Sequence, residues 1–249
     1  LIQKFEEHLK KFDIEIKKDS VIKIKKEDKI FIVQTKNKNR YRAKAVIVAS
    51  GADPRPLEVP GEKEYIGKGV SYCAICDAVF FKDKTVAVIG GGDAGFEATL
   101  ALSEWAKKIY ILEFSSEVKA SPDNQEKIKK IEKVKIITSV ALKEIRGKKI
   151  VDSVVYQDLS SQEKKTLKVE GVFVEIGSQP ATSFVKSLVD FNERDEIKVE
   201  FETCQTKTPG LFAAGDVNVG PFKQIVTACG EGAKAALSAY RYLQENHKH

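Results

Sequence analysis

The sequence predicts an α/β protein built on parallel sheets, with one α/β unit inserted into another. Two observations carry this. Strands alternate with helices along most of the 249 residues, and the apolar, β-rich stretch 85–89 runs into Gly90-Gly91-Gly92 and then a helix. The stretches AVIVASGADP (45–54) and GVFVEIGSQP (171–180) echo each other, two apolar strands each ending in glycine and followed by proline. They bracket the middle of the chain like paired hinges, so the expected parts are 1–52, 53–177 and 178–249.

Taken in order, Ile2, Phe5, Leu9 and Phe12 recur at helical spacing and predict a helix over 2–12. Alternating pieces at Ile14–Ile16, Val21–Ile24 and Ile30–Val33 predict a small β-meander, and 45–49 a buried strand ending in Ser50-Gly51. The stretch 52–61 holds three of the seven prolines and reads as a connector. Strands follow at 85–89, 109–112 and 134–138, with helices at 94–105 and 122–131. Charged, alternating segments predict an antiparallel meander over 142–169. Further strands are expected at 171–176, 196–201 and 210–214, and a helix over 224–243 closes the chain.

Composition narrows the function classes. Forty-two basic and 36 acidic residues give a net charge of +6, but the lysines are dispersed among glutamates and no nucleic-acid motif is present. No apolar run reaches membrane-spanning length, and the charged, amphipathic start is unlike a secretory signal. The expectation is a cytoplasmic protein without nucleic-acid or membrane partners. Four cysteines are too few for a disulfide-stapled fold of this size. The chain starts at Leu1 and has no methionine where about five are usual, which predicts a fragment, or a written sequence from which methionines have dropped out.

Gly90-Gly91-Gly92-Asp93-Ala94-Gly95 satisfies G-x-G-x-x-G between a strand and a helix, with Glu113 ending the next strand. That context is what a dinucleotide site requires. Gly90 permits the turn, Gly92 lets the backbone approach a pyrophosphate, and Gly95 lets helix and strand pack closely. Glu113 is placed to accept bonds from ribose hydroxyls and would repel a 2′-phosphate. No arginine lies between Arg55 and Arg146 to receive one, so NADH is favoured over NADPH.

Cys73-Ala74-Ile75-Cys76-Asp77 is the second constellation. Half of a zinc site would need two more ligands, and Cys204, Cys229 and the three histidines show no paired spacing; no metal site is expected. A buried structural pair is the bland alternative. A redox pair explains more: C-x-x-C at a helix start lowers a thiol pKa and allows reversible disulfide formation, and Asp77 is placed to exchange protons. Cys204 and Cys229 read as small packing residues.

The C-x-x-C-D shortly before a nucleotide loop, then LFAAGD (211–216) and KQ-x-V-T-A-x-G-E-G (223–232), resembles the low-molecular-weight thioredoxin reductases over essentially the whole chain. The resemblance implies two Rossmann-like dinucleotide folds: an FAD domain from 1–52 and 178–249, and an inserted NAD(P)H and disulfide domain from 53–177. It implies that Cys73 attacks a thioredoxin disulfide, Cys76 faces the flavin, and Asp77 is the acid–base residue. It implies that Gly215-Asp216 holds the ribityl chain and that Lys223-Gln224-Ile225 lies against the flavin ring. The strand-end residues Ser50, Gly51 and Gly177, with Asp93 and Ala94 of the nucleotide loop, complete the candidate cofactor contacts. It also implies a homodimer and a thioredoxin or thioredoxin-like partner.

Two departures matter. Where NADPH-using members carry a His-Arg-Arg cluster, this chain has Glu113-Phe114-Ser115-Ser116, more similar to the NADH-dependent flavoprotein component of alkyl hydroperoxide reductase. A peroxiredoxin-reducing partner is therefore the alternative. No glycine precedes Gly51, so the family's first G-x-G-x-x-G loop is not in this sequence, and weak or no FAD binding by these 249 residues is expected. A flavin-free NAD-binding redox fragment is the remaining reading.

Overall fold

A computed structural model describes residues 2–220 and 222–246. In chain order the elements are α1 (Ile2–Leu9), β1 (Val21–Glu27), β2 (Ile30–Thr35), β3 (Arg40–Ala43), β4 (Val46–Val48), β5 (Ala52–Pro54), β6 (Val70–Ser71), α2 (Ala74–Asp77) and β7 (Thr85–Ile89). There follow α3 (Asp93–Ser103), β8 (Lys108–Leu112), α4 (Pro122–Lys129), β9 (Val134–Ile137), β10 (Val140–Gly147), β11 (Val151–Asp158), β12 (Lys164–Lys168) and β13 (Gly171–Val174). The chain closes with β14 (Ser178–Pro180), β15 (Leu211–Ala213) and α5 (Ile225–Asn246). It divides into two compact units, Leu1–Asp53 with Gln179–His249, and Pro54–Ser178. None of the described helices is long and apolar enough to cross a membrane.

The inserted unit is built on a five-stranded sheet of order β6-β13-β7-β8-β9, with every pairing among β13, β6, β7, β8 and β9 parallel. Strand alternation assigns its faces. Val86, Val88, Ile109, Ile111 and Phe173 pack with Phe96 and Leu102 of α3 and Ile128 of α4. Ala87, Ile89, Leu112, Val172 and Val174 pack instead with Val140, Ile145, Val151 and Val154 of the antiparallel sheet β10-β11-β12. The sheet is thus covered on both faces, which is why its strands read as unbroken apolar runs.

The other unit repeats this plan on a smaller scale. Parallel β4 and β15 lie with Leu211 and Ala213 against Ile24 and Phe31 of the meander β1-β2-β3, while Phe212 and Ala214 meet Ala235 and Ala239 of α5. The segments that pass from one unit to the other pair as β5 and β14. Gly51 and Gly177 sit at their starts with φ of +68° and +94°, a region that favours glycine.

Three sequence expectations need correction. Ile14–Ile16 alternates but is exposed and unpaired as a strand, and the first helix stops at Leu9. The stretch 196–201 is no strand; Ile197 makes only isolated bridges to Phe191 and Asn218, because Asn192 folds back to take the Glu196 amide. The short strand Arg40–Ala43, which alternates exposed arginines with half-buried Tyr41 and Ala43, was not expected and supplies the third strand of the meander.

Phe173 is fully buried and meets Phe81 edge-on, centroids 4.9 Å apart. Phe173→Ala should destabilise the inserted unit by about 3–5 kcal/mol, the usual cost of such a cavity. Urea unfolding followed by the fluorescence of Trp105, the single tryptophan and a residue of this unit, checks it.

Candidate active site

The parallel sheet of the inserted unit delivers three loops to its C-terminal edge, those after β6, β7 and β8. β6 leads through Tyr72 to Cys73, which caps α2, its Sγ lying 3.3 Å from the Cys76 amide. Cys73 and Cys76 form a disulfide, with Cα atoms 5.3 Å apart. Cys76 and Ile75 are exposed and Cys73 is half-buried.

Buried Ser71 organises the pair. Its Oγ donates to Asp77 Oδ2 at 2.6 Å and accepts the Cys73 N–H at 3.1 Å. The Asp77 carboxylate is therefore held to the backbone of the first cysteine. Sequence reasoning missed Ser71, because one serine before a C-x-x-C forms no motif. On the other side, Tyr72 donates to Glu62, a carboxylate buried to 1% exposure that also accepts the Leu57 and Glu58 amides. Burial, and then the bond to Glu62, pushes the Tyr72 hydroxyl up to about 12.

β7 ends at the glycine loop. Gly90 has φ of +121°, and a Cβ there would overlap the Glu175 carbonyl oxygen; a Cβ on Gly95 would overlap the Gly90 carbonyl oxygen. A Cβ on Gly92 would meet nothing within 4 Å, so the loop is open on that side. That is the surface a pyrophosphate needs, with the N–H groups of α3, an eleven-residue helix, behind it. Glu113 turns its carboxylate back to the loop, accepting from Gly91 N at 2.5 Å and Ser115 N at 2.7 Å. Each oxygen keeps acceptor capacity for a ribose hydroxyl. Asp93 is differently employed: it accepts from Ser121 N and Asn124 Nδ2, fixing the start of α4. Ala94 is exposed beside it.

Glu175 is a further residue that sequence reasoning missed, as one letter in the apolar run GVFVEI. It follows β13, the strand between β6 and β7, and its amide donates to the Ile89 carbonyl at 2.8 Å. Burial pushes its carboxyl up to about 7; Glu97 on α3 adds to the rise, while the Ala74 N–H opposes it.

The remaining candidates lie in the other unit, Gly177 excepted. Ser50-Gly51 and Gly215-Asp216 follow the paired strands β4 and β15 and so share one end. Ser50 donates to the Ala181 carbonyl at 2.8 Å. Gly215, with φ of +77°, is tied to α5 through Glu231, which accepts both its amide and Asn218 Nδ2. Lys223 is ion-paired to buried Glu196 at 2.9 Å, and Gln224 and Ile225 are exposed at the start of α5. Cys204 is buried, but Cys229 is exposed and packs in no core, contrary to expectation. Among the described residues no group of three or more His, Cys, Asp or Glu could hold a metal ion.

Residues 2–232 match the family model of the pyridine nucleotide-disulphide oxidoreductases. The chain belongs to that family. It is 40% identical over 248 residues to the F component of the alkyl hydroperoxide reductase of Pseudomonas aeruginosa, covering 98% of this chain and 47% of that protein. It is 39% identical to the thioredoxin reductase of Peptoclostridium litorale, covering 98% and 79%. Among solved structures, thioredoxin reductase from Streptococcus pyogenes superposes with a TM-score of 0.91 at 36% identity, and that of Giardia duodenalis with 0.90 at 34%; each match covers 98% of this chain and 79% of the other. The chain thus spans about half the length of the alkyl hydroperoxide reductase components it matches. The α/β fold and the disulfide are those of this oxidoreductase family, whose members use flavin and pyridine nucleotide.

A carboxyl raised on folding binds its proton more tightly in the folded chain, so stability is present at low pH and is lost as pH rises through the folded value. For Glu175 the window runs from the ordinary 4.5 to about 7. Over it the wild type should lose about 2 kcal/mol relative to Glu175→Gln, allowing for partial exposure. Urea midpoints of the two chains across that pH range test this.

Proposed function

We propose that the chain passes electrons from a nicotinamide dinucleotide, NADH in preference to NADPH, through FAD to Cys73–Cys76 and on to the disulfide of a thioredoxin or thioredoxin-like protein. The observation that carries this reading is the placing of a formed disulfide and an open glycine loop at one edge of one sheet, one strand apart.

In this reading the backbone of Gly90, Gly92, Asp93, Ala94 and Gly95 takes the pyrophosphate, and Glu113 accepts the ribose hydroxyls. A 2′-phosphate would meet the Glu113 charge at close range. FAD supplies the two-electron carrier, and the residues assigned to it are Ser50, Gly51, Gly177, Gly215, Asp216, Lys223, Gln224 and Ile225. They suit its ring and ribityl side: two glycine turns with positive φ lie at one end of the β4–β15 pair, with the start of α5 packed on Gly215 through Ala228.

After reduction, Cys73 as thiolate attacks the partner disulfide and Cys76 closes on it to release the partner's dithiol. Asp77, held by Ser71, accepts and returns the proton of the reacting thiol. The protein acts in the cytoplasm as a homodimer.

A second reading has a specific support. Identity to the alkyl hydroperoxide reductase component of Pseudomonas aeruginosa, 40%, is within one percentage point of the 39% to thioredoxin reductase, and Glu113-Phe114-Ser115-Ser116 lacks basic residues. In that case the partner is a peroxiredoxin-reducing module.

In the flavin-loaded enzyme, Cys73→Ser or Cys76→Ser should abolish NADH-driven reduction of a protein disulfide. Asp77→Asn should slow it by about 10²-fold. Coupled assays with thioredoxin and with a peroxiredoxin system decide between the partners. The kcat/KM for NADH should exceed that for NADPH by about tenfold or more, and Glu113→Ala should narrow the gap.

A further inference from the structure

Glu175 has no part in the route above, yet it stands beside it. Its backbone is pressed against Gly90, the turn of the nucleotide loop, and its carboxylate faces the N–H of Ala74, the residue that follows Cys73 and begins α2. The groups around it are few. α3 presents Glu97 and α2 the Ala74 N–H, and because Phe173 on β13 pairs with Ser71 on β6, Glu175 and Cys73 each lie two residues beyond that pair on neighbouring strands. Asp77 is bound to Ser71. No described cation contributes to the charge balance at Glu175.

In the oxidised chain the neighbouring sulfurs are neutral. Reduction changes that. As two electrons enter, the S–S bond breaks and both sulfurs gain the capacity to carry negative charge. Two ionised groups in one partly buried site disfavour each other. The carboxyl already lies near 7 with the disulfide intact, so it is poised to respond near neutral pH.

We propose that Glu175 is a positioning residue of the redox pair: its carboxylate takes up a proton when the Cys73–Cys76 disulfide is reduced and gives it up when the disulfide re-forms. The balance is two electrons and two protons per disulfide. One proton goes to one sulfur; the second rests on Glu175, leaving the other sulfur as the thiolate. When that thiolate attacks a protein disulfide, the departing partner sulfur takes a proton and Glu175 returns to its ionised form as the pair closes. Glu175 thereby keeps one thiol ionised without charging the site twice. The proposal rests on the redox reading of the pair, but not on its electron donor.

The 249-residue chain, reduced with dithiothreitol and freed of it, is alkylated with iodoacetamide from pH 5.5 to 9, and Cys73 and Cys76 are followed by mass spectrometry. Where the carboxyl is ionised, Glu175→Gln removes the competing charge, so alkylation of the more reactive cysteine near pH 8 should quicken by about three- to fivefold while the rates near pH 5.5 coincide, with Glu97→Gln having a smaller effect. Superimposed profiles for Glu175→Gln and wild type would overturn the proposal. A second readout needs no variant: the side-chain 13C shift of Glu175 should titrate near 7 in the disulfide form and about one unit higher in the dithiol form. An unchanged or lower midpoint on reduction would also overturn it. Neither readout uses flavin or nucleotide, so failure of the NADH-driven assay with these results intact would sink the electron route alone.

Discussion

Everything at the candidate active site depends on how closely three backbones approach at the C-terminal edge of the parallel sheet. The Gly90 carbonyl oxygen occupies the space a side chain on Gly95 would need, and the Glu175 carbonyl oxygen the space a side chain on Gly90 would need. This packing seats α3 tightly on β7 and draws the end of β13 against the nucleotide loop. The sheet is buried on both faces, and polar side chains gather at the loop ends of its C-terminal edge. The redox pair, the glycine loop, Glu113 and Glu175 are all found there.

The acidic residues at that edge are each given separate work by their partners. Glu113 is satisfied by two loop amides. Asp77 is bound through Ser71 to the cysteine turn. Glu62 is fully committed to amides and the Tyr72 hydroxyl and anchors the connector 57–62. Burial raises the Glu175 carboxyl to about 7.

Much of this was legible in the sequence because it is local. The run of β-branched residues into three glycines, the C-x-x-C-D and the paired strand–Gly–Pro echoes each describe a few consecutive residues, and the structure keeps them as β7–α3, the α2 disulfide and the β5–β14 crossings. The misses have a common cause. The pattern at Ile14–Ile16 and over 196–201 reports a face that could be buried, but strand formation also needs a partner, and the Asn192 side chain takes the Glu196 amide instead. Ser71 is an ordinary letter two residues before Cys73, its role visible only in the bonds that its hydroxyl makes, and Glu175 is far in sequence and comes near through the pairing of β13 with β6.

The central claim is that Cys73 and Cys76 receive electrons that enter as NADH. Its most direct test is an anaerobic addition of one equivalent of NADH to the flavin-loaded enzyme, followed by acid quenching, thiol alkylation and mass analysis of the peptide bearing both cysteines. The account predicts that this peptide gains two alkyl groups while the nicotinamide is oxidised. A peptide that keeps its disulfide after the NADH has been consumed would contradict it.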